Sequence, residues 1–380
     1  MTGIELLIIL FKVVCAMAIL LALAGPLTWA ERRQSAMIQD RLGPNRANIG
    51  KWTLFGMLHP VADFIKMITK EDVRPTGANP ILHTLAPLLA LVPAFLVFAI
   101  VPYGGPVCFQ GEFVLQGAAA MCKMDTGALV AAEKLQVTDL NVGILFLFAI
   151  GSLGVYGPTI AGWASNSKYA LLGALRTSAQ LLSYEIVMGL TVMGCVMIYG
   201  TVETSKMVDL QAGSIFNWGI WVQPVGFILF ITAAIAETKR TPFDMPEAES
   251  ELVAGYFTEY SGTKFAAFYT AEFVSVLVVA GLATTLFFGG WQVPWLGPKG
   301  FVINGVLTEI PRWLVVALQV GKFIFFVVGL AWFQLMVRWT LPRFRYDQLM
   351  RIGWKVILPL TLANILVTGL VMLLLQKPGA

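Results

Sequence analysis

Long apolar runs recur along the whole chain and set its architecture. Eight of them are long enough to cross a bilayer core of ~30 Å, which takes about 20 residues in a helix. They lie near residues 4–28, 81–101, 141–161, 177–199, 218–237, 266–289, 313–337 and 353–375. Because a bilayer core offers no water to backbone groups, each run has to satisfy its own hydrogen bonds, and the pattern therefore predicts transmembrane helices.

A second pattern follows the first apolar run. Within residues 52–70, apolar residues recur every three or four positions, as on one face of a helix. The apolar stripe comprises Leu54, Leu58, Val61, Ile65 and Ile68. Asp63 falls roughly on the opposite face, so we expect an amphipathic helix in the plane of the interface. Such a helix is either a surface anchor or one wall of a slot between the bilayer and the inner side.

These patterns predict an all-α integral membrane protein with about eight transmembrane helices and one amphipathic interfacial helix in the first inner loop. Residues 1–380 then form a single polytopic membrane domain. Its principal connections are an inner loop at 30–80, an extended outer loop at 102–140 and an acidic inner loop at 237–265. The composition agrees, because 57% of the residues are hydrophobic and 13% are charged. Soluble proteins have about 25% charged residues, so a soluble enzyme is excluded.

The distribution of Lys and Arg predicts the orientation of the chain. The odd-numbered connections hold most of these residues. The first connection alone has eight, namely Arg32, Arg33, Arg41, Arg46, Lys51, Lys66, Lys70 and Arg74. Because basic loops stay on the cytoplasmic side, we expect the odd-numbered connections to face inward and both termini to face outward.

The cysteines show no metal-ligand spacing. Cys15 and Cys195 lie inside apolar runs and are expected to be small apolar fillers. Cys108 and Cys122 both fall in the outer loop, in a compartment that permits disulfides, so their pairing is a hypothesis.

Motifs for nucleotides and redox metals are absent from the sequence. It contains no phosphate-binding loop, no dinucleotide-binding glycine motif and no paired-cysteine iron–sulfur motif. We therefore expect the chain to bind no flavin, iron–sulfur cluster, nucleotide or metal of its own. If it takes part in redox chemistry, a partner has to supply the electrons.

Two charged residues fall inside apolar runs. Glu185 lies nine residues, or about 13.5 Å, beyond Arg176 at the inner end of its span, which places it near the bilayer midplane. An ionised carboxylate at that depth costs free energy, because it has been removed from water. Glu185 is therefore either a neutral, hydrogen-bonded structural residue or part of a proton or ion route. Lys322 lies at a similar depth in the seventh span. It is either a functional residue or a structural Lys that is packed against an acid.

The stretch AETKRTPFDMPEAESELVAGYFTEY, residues 236–260, gathers six of the 22 acidic residues. Asp244 and Glu247, with Pro246 between them, fit the start of a helix running from about 245 to Gly262. A helix start does not account for the other acids, which include Glu237 and Glu272 at the converging inner ends of two adjacent spans. At ~6 Å and an effective dielectric constant near 20, two carboxylates repel by about 3 kcal/mol, so we expect this cluster to share protons.

Several segments in order along the chain resemble one known family. The segments AERR…RLGPNR, PVADFIKMITKE, GWASNSKYALLGALR, ETKRTPFDMPEAESELVAGYFTEYSG and RWTLPRFRYDQLM are similar to signature segments of the membrane subunit of respiratory complex I that is designated H. The mitochondrial equivalent of that family is NADH dehydrogenase subunit 1. The similarity runs from the first span to the last, and residues 102–140 diverge from it.

The resemblance implies a proton-pumping NADH:quinone oxidoreductase whose NADH, flavin and iron–sulfur clusters reside on other subunits. A chain of this family would form most of the membrane-side tunnel for quinone. The implied quinone-binding residues are Arg32, Arg41, Trp52, Phe55, Asp63, Arg338 and Arg343. The implied proton-coupling acids are Glu31, Glu185, Glu237, Glu247, Glu249, Glu259 and Glu272, to which the intramembrane position adds Lys322. No catalytic or metal-binding residue is expected in this chain.

The expected partners are the cluster-bearing hydrophilic subunits, the neighbouring membrane subunits, quinone and the lipid bilayer, and no nucleic acid. The long outer loop favours the inner (plasma) membrane of a bacterium over a mitochondrion. Three alternatives remain. One is the membrane component of a related energy-converting hydrogenase, the second is a stand-alone cation/proton antiporter, and the third is a passive assembly scaffold. The chain shows no internal repeat of the kind found in antiporters.

Overall fold

The computed structural model describes residues 3–108, 112–116, 119–123, 129–245, 252–298, 300–303 and 306–375, and these residues are mostly helical. The first six α-helices are α1 (Gly3–Ile38), α2 (His59–Thr69), α3 (Pro80–Phe98), α4 (Gly143–Leu153), α5 (Tyr156–Ala164) and α6 (Lys168–Tyr199). They are followed by α7 (Thr204–Leu210), α8 (Gly219–Val222), α9 (Pro224–Glu237), α10 (Gly262–Phe287), α11 (Arg312–Thr340), α12 (Tyr346–Ile352) and α13 (Leu358–Leu375).

Within the described residues, seven helical segments are long and apolar enough to cross a membrane. They are Leu6–Ile38, Pro80–Phe98, Gly143–Ala164, Lys168–Tyr199, Gly262–Phe287, Arg312–Thr340 and Tyr346–Leu375. The prediction of an α-helical membrane protein is thereby confirmed. The segment predicted at 218–237 is shorter, because its helix is interrupted at Gln223, where φ is −131° and ψ is 59°. Only Pro224–Glu237 continues as a regular apolar helix.

Two spans are longer than the apolar runs that predicted them. Helix α1 continues ten residues beyond the predicted end at residue 28, so Glu31 and Arg32 lie on a helix and not in a loop. Helix α6 begins at Lys168, nine residues before the predicted start, and ends where Gly200 adopts a φ of 65°. Both helices therefore continue through polar residues beyond their hydrophobic stretch. Hydropathy alone does not predict these helix ends.

Two local helix predictions need correction. The amphipathic helix begins at His59 and not at residue 52, because Leu54 and Phe55 have positive φ and form a 3-10 turn, Leu54–Gly56. The predicted helix from 245 to Gly262 is not continuous. Val253 has a φ of 66°, and a 3-10 turn at Gly255–Phe257 follows it.

The described residues also form three small antiparallel sheets, which the sequence did not predict, in connections at one end of the bundle, here called the sheet side. The strands are β1 (Gly104–Val107), β2 (Glu112–Gln116), β3 (Ala119–Lys123), β4 (Leu129–Ala131), β5 (Glu133–Leu135), β6 (Leu296–Gly297), β7 (Gly300–Ile303) and β8 (Val306–Glu309). β1 pairs with β5, β3 lies between β2 and β4, and β7 lies between β6 and β8. The Cys108–Cys122 disulfide confirms the hypothesis drawn from the sequence. The opposite end, which holds the basic connections, is called the basic side.

Helix α10 is the centre of the bundle, and it packs against α1, α3, α9 and α11. From Ala271 to Phe287 nearly every residue of α10 is buried. Small residues let neighbouring helices approach closely. A Cβ on Gly157 of α5 would lie 2.7 Å from the Cβ of Ala90 on α3, and one on Gly162 would lie 2.3 Å from that of Ala174 on α6. The core therefore holds α10 and the basic-side residues at its start in fixed positions.

Candidate functional site

A buried carboxylate on α1 lies between two arginines at the basic side. Arg240, in the connection between α9 and α10, donates a hydrogen bond from Nη1 to Glu31 Oε2 over 3.1 Å. Arg338, near the end of α11, donates from Nη1 to the other oxygen, Oε1. Glu31 and Arg240 are both buried, and the Arg240 guanidinium also lies 4.3 Å from the centre of the Phe273 ring. A buried carboxylate needs such partners, and the two arginines supply a hydrogen bond to each of its oxygens.

Two further ion pairs flank this group. Arg32 on α1 pairs with Asp63 on α2 over 2.7 Å, and both side chains remain partly accessible. Arg343, which follows α11, donates from Nη2 to the buried Asp244 over 3.0 Å. These pairs join the amphipathic helix to α1 and the end of α11 to the acidic connection. Four of the sequence-predicted quinone-binding residues, Arg32, Asp63, Arg338 and Arg343, are thus brought to one end of the bundle.

The next carboxylate inward is Glu272, which is buried ten residues after the first residue of α10. The Tyr256 hydroxyl donates to Glu272 Oε1 over 3.3 Å, and Lys239 Nζ lies 3.5 Å from the same hydroxyl. The charges of Lys239, Arg240, Asp244 and Arg338 all act on Glu272. Glu272 is therefore electrostatically connected to the arginines that hold Glu31.

A cavity of about 100 Å³ lies beside this carboxylate, between α3, α4, α6, α9 and α10. Its polar lining consists of Glu237, Thr238, Lys239, Glu272 and Ser275. Glu237 Oε2 is buried and has no hydrogen-bond partner among the described residues. The volume admits a few water molecules, which such a polar atom can bind.

Glu185 on α6 is not among the residues that line this cavity, but it is close enough to Glu237 for the two carboxylates to interact electrostatically. It is half-buried and sits among the apolar residues of a membrane-spanning helix. The structure therefore brings Glu31, Glu272, Glu237 and Glu185 into an electrostatically connected series from the basic side toward the centre of the bundle. Within this series Glu185 acts directly on Glu237, so the protonation of one of these two carboxylates changes the proton affinity of the other.

The remaining predicted residues lie elsewhere. Trp52 and Phe55 are 73% and 83% exposed, and the carbonyl of Phe55 accepts a hydrogen bond from the Trp29 indole over 2.9 Å. Arg41 is exposed and donates to Ser35 Oγ over 3.5 Å. Glu247 and Glu249 lie outside the described residues.

Glu259 contributes its backbone to a buried aromatic pair. Its carbonyl lies 3.3 Å from Nε2 of His83, and the His83 ring stacks on Tyr260 with the ring centres 4.1 Å apart. Burial raises the pKa of the Tyr260 hydroxyl, so this ring remains neutral. These contacts fix the end of the acidic connection against α3.

Lys322 occupies a different place from the acids. Its Nζ donates to the carbonyl of Gly290 over 2.8 Å and to that of Phe288, just beyond the end of α10. The ammonium also lies 4.6 Å from the Trp218 ring and 5.0 Å from the Phe326 ring. A cation is favoured at a helix C-terminus, so the end of α10 on the sheet side is a favourable position for the Lys322 ammonium.

Sequence reasoning missed three residues of this site. It assigned no role to Arg240 or Tyr256, and it interpreted Asp244 only as a helix cap. Arg240 follows Lys239 directly after an apolar helix, and Asp244 lies four residues further on. Their close spacing to Glu237 was a usable signal, but the distant partners Glu31 and Arg343 could not be inferred from it.

The fold and the site define a polytopic α-helical membrane protein with a buried ion-pair network at its basic side and a connected series of carboxylates inside the bundle. The sequence profile of the NADH dehydrogenase family matches residues 11–369. The most similar relatives include bacterial NADH-quinone oxidoreductase subunits that carry the designation H. The chain is 46% identical to the first such protein of Geobacter metallireducens over 98% of both chains. It is 47% identical to the second such protein of Geobacter sulfurreducens over 95% of both chains. It is 45% identical to the second such protein of Rhizobium meliloti over 96% of this chain and 97% of the relative.

The chain therefore belongs to the NADH dehydrogenase family, together with the H subunits of bacterial NADH-quinone oxidoreductases. The resemblance drawn from the sequence segments is confirmed. The long apolar helices and the bacterial relatives also indicate a bacterial membrane protein.

Proposed function

We propose that this chain is the membrane subunit of an NADH-quinone oxidoreductase that binds quinone at the basic side and couples its reduction to proton movement. The names of its relatives support membership of a multi-subunit complex that uses quinone. The cluster-bearing hydrophilic subunits would dock on the basic side and deliver electrons there. The complex would lie in the inner (plasma) membrane of a bacterium.

The observation that carries the quinone-binding proposal is the position of Glu31 between Arg240 and Arg338. Two cations around one anion leave this trio with a net positive charge. A quinone gains negative charge as it is reduced, before protons neutralise it. Fixed cations and N–H donors beside the quinone would stabilise that charge without having to reorganise.

The partly accessible pair of Arg32 and Asp63 supplies a second polar wall. Because it joins the amphipathic helix α2 to α1, quinone entering from the bilayer would pass beside it. The exposed rings of Trp52 and Phe55 precede α2 and would contact the apolar tail of the quinone at the mouth of the site.

Coupling would use the carboxylates inside the bundle. A change of charge beside Glu31 acts on Arg240 and Arg338, whose charges in turn act on Glu272. Glu272 shares a cavity with Glu237, and the charge of Glu185 acts on Glu237. A proton taken up at one carboxylate would thus change the proton affinity of the next, which moves the signal laterally into the membrane. Glu247, Glu249 and Glu259 are the further members expected from the sequence.

The variant Arg338→Met tests quinone binding in membranes that contain the intact complex. It removes the cation and donor from Glu31 while keeping a long side chain, so we expect quinone reductase activity to fall at least about tenfold. Electron transfer from NADH to a water-soluble acceptor, which bypasses the quinone site, should remain unchanged. Arg345→Met is the matched control, because Arg345 is exposed and pairs only with the exposed Asp347 among its described ion pairs. Unchanged quinone kinetics in Arg338→Met would refute the proposed site.

A second candidate function is that of the membrane subunit of a related energy-converting hydrogenase. Deletion of the gene for this chain distinguishes this function from the proposed one. Our proposal predicts that the membranes lose NADH-dependent quinone reduction, whereas the hydrogenase alternative predicts loss of ferredoxin-linked hydrogen evolution with quinone reduction intact.

A further inference from the structure

One side-chain amide on α6 holds both ends of the turn that follows α9. Gln180 is fully buried in the bundle. Its Nε2 donates to the carbonyl of Ala236 over 2.8 Å and to the carbonyl of Phe243 over 2.7 Å. The two carbonyls flank residues 237–242, a segment that contains members of both the ion-pair network and the carboxylate series. One side chain of α6 thus bridges this whole segment.

The orientation of the amide follows from its neighbours. A carbonyl oxygen can only accept hydrogen bonds, so the Gln180 atom that faces the two carbonyls has to be the donor nitrogen and not Oε1. An amide nitrogen carries two hydrogens, which matches the two bonds. A side chain of the same length without an N–H donor would therefore remove both contacts at once.

The bridged segment is irregular and needs contacts from outside. Helix α9 ends at Glu237, and the carbonyl of Ala236 lies in its last turn, where such groups need donors from beyond the helix. Lys239 has a φ of 54°, a left-handed conformation that costs free energy for a residue with a side chain. The surrounding structure therefore has to hold the segment in place, and the bonds from Gln180 do so at both of its ends.

Two functional residues in the segment depend on this bridge to different degrees. Arg240 has its own bond to Glu31, and its guanidinium lies 4.3 Å from the centre of the Phe273 ring. Glu237 Oε2, in contrast, has no hydrogen-bond partner among the described residues. Loss of the Gln180 bonds should therefore displace Glu237 more than Arg240.

The helix that carries Gln180 also carries the next carboxylate of the series. Glu185 lies five residues further along α6, or about 7.5 Å along the helix axis. Its charge acts on Glu237, and the strength of such an interaction depends on the distance between the two groups. Because Gln180 bonds α6 to the end of α9, it fixes the position of one carboxylate relative to the other.

We propose that Gln180 is a positioning residue for proton coupling. By bonding to Ala236 and Phe243, it holds Glu237 at a fixed distance from Glu185, so that the protonation of one acts on the other. Gln180 itself contacts neither quinone nor a transferred proton. This inference rests on the proposed function, because Glu237 and Glu185 have to take part in coupling for their spacing to matter.

The variant Gln180→Met tests the inference in vesicles that contain the intact complex. Methionine is about as long as glutamine but has no N–H donor. We expect the number of protons pumped per quinone reduced to fall at least about threefold, since small displacements of reacting groups have large effects on their reactions. Quinone reduction per assembled complex should stay near the wild-type rate, because Arg240 keeps its bond to Glu31.

The matched control is Gln211→Met at the sheet side. Gln211 is also fully buried, and its Nε2 donates to the carbonyls of Met207 and Thr285 over 3.1 and 2.9 Å. Its Oε1 accepts two backbone N–H bonds as well, so Gln211→Met loses more hydrogen bonds than Gln180→Met does. It should make the complex less stable to heat and leave the number of protons per quinone unchanged.

Amide hydrogen exchange measures the positioning itself, independently of pumping. In peptides that cover residues 237–243 of the assembled complex, we expect faster exchange in Gln180→Met and wild-type exchange in Gln211→Met. A second variant, Gln180→Asn, keeps the amide on a side chain that is one methylene shorter and cannot reach both carbonyls. It should change exchange and pumping in the same direction, and it decides the outcome if Gln180→Met does not assemble.

Glu237→Gln in the same vesicles distinguishes failure of the inference from failure of the proposed function. Loss of pumping in Glu237→Gln with wild-type pumping in the Gln180 variants would overturn the inference alone. Wild-type pumping in Glu237→Gln would also overturn it, and if Glu185→Gln pumps normally too, the proposed function falls with it. Unchanged exchange at residues 237–243, or an equal loss of pumping in Gln211→Met, would show that Gln180 has no positioning role.

Discussion

Arg240 donates a hydrogen bond to Glu31 over 3.1 Å, although 209 residues separate them in the chain. Arg338 occupies the other oxygen of the same carboxylate. One buried anion thus joins α1, the connection between α9 and α10, and the end of α11. The quinone site proposed above is built around this junction.

Replacement of Glu31 by glutamine should therefore damage the junction more than the loss of one surface charge would. In Glu31→Gln the two arginines stay near each other without their shared anion, and breaking a buried ion pair costs about 3–5 kcal/mol. We expect the half-life of quinone reductase activity at elevated temperature to fall about tenfold or more. Activity measured over time in heated membranes gives this value.

The control for that variant is Asp347→Asn, which removes a carboxylate whose side chain is 63% exposed. Exposed pairs contribute roughly 0–1 kcal/mol, so the half-life should change little. Equal half-lives for the two variants would contradict the structural role of Glu31.

The apolar pattern predicted the membrane-spanning helices, because a span must be apolar over about 20 residues wherever it faces lipid. It did not predict the ends of α1 and α6, where polar residues such as Glu31 and Lys168 continue the helix in a protein environment. Nor did it reveal the break at Gln223. Gln223 is buried, donates to Thr368 Oγ1 over 2.6 Å and accepts from Asn364 Nδ2 over 3.0 Å, so contacts with α13 accompany the interruption.

For the site, the sequence supplied residue types but not pairings. Arg32, Arg338 and Arg343 were predicted from the resemblance, and each has a carboxylate partner in the structure. The partners of Arg338 and Arg343 are 307 and 99 residues away in the chain, and only the folding of the bundle brings them together. Composition cannot encode such distances.

Lys322 allows a test between a structural and a proton-coupling role. Its bonds to the carbonyls of Phe288 and Gly290 stabilise the region after α10, and Lys322→Met removes them. Hydrogen bonds from a charged donor contribute about 1.5–3 kcal/mol, so the complex should lose activity faster on heating. The number of protons pumped per electron at low temperature should stay at the wild-type value. A lower ratio in a stably assembled complex would instead support the proton-coupling role expected from the sequence.

The disulfide at the sheet side predicts a defined count of reactive thiols. The chain has four cysteines, of which Cys15 and Cys195 are free and Cys108 and Cys122 are paired. Alkylation of denatured, unreduced protein should therefore add two groups, and alkylation after reduction should add four. Intact-mass measurement distinguishes these products. Four added groups without reduction would show that the pair is not formed in the membrane.

The disulfide also affects the stability of the sheets. In the double variant Cys108→Ser with Cys122→Ser, the closed segment of 14 residues is released, and loss of such a constraint costs about 3 kcal/mol. We expect faster cleavage by an external protease within residues 104–135. Cleavage in the basic-side connections should not change, which provides the internal control.

The central claim is that carboxylates inside the helix bundle of this chain couple quinone reduction to proton movement. The most direct measurement is the rate of acidification of vesicles containing the assembled complex with Glu237→Gln or Glu185→Gln, at an NADH supply that saturates the wild type. Because each variant removes one proton-accepting group from the series, we expect at least about a tenfold loss of proton pumping with the amount of assembled complex unchanged. Wild-type pumping in both variants would contradict the claim.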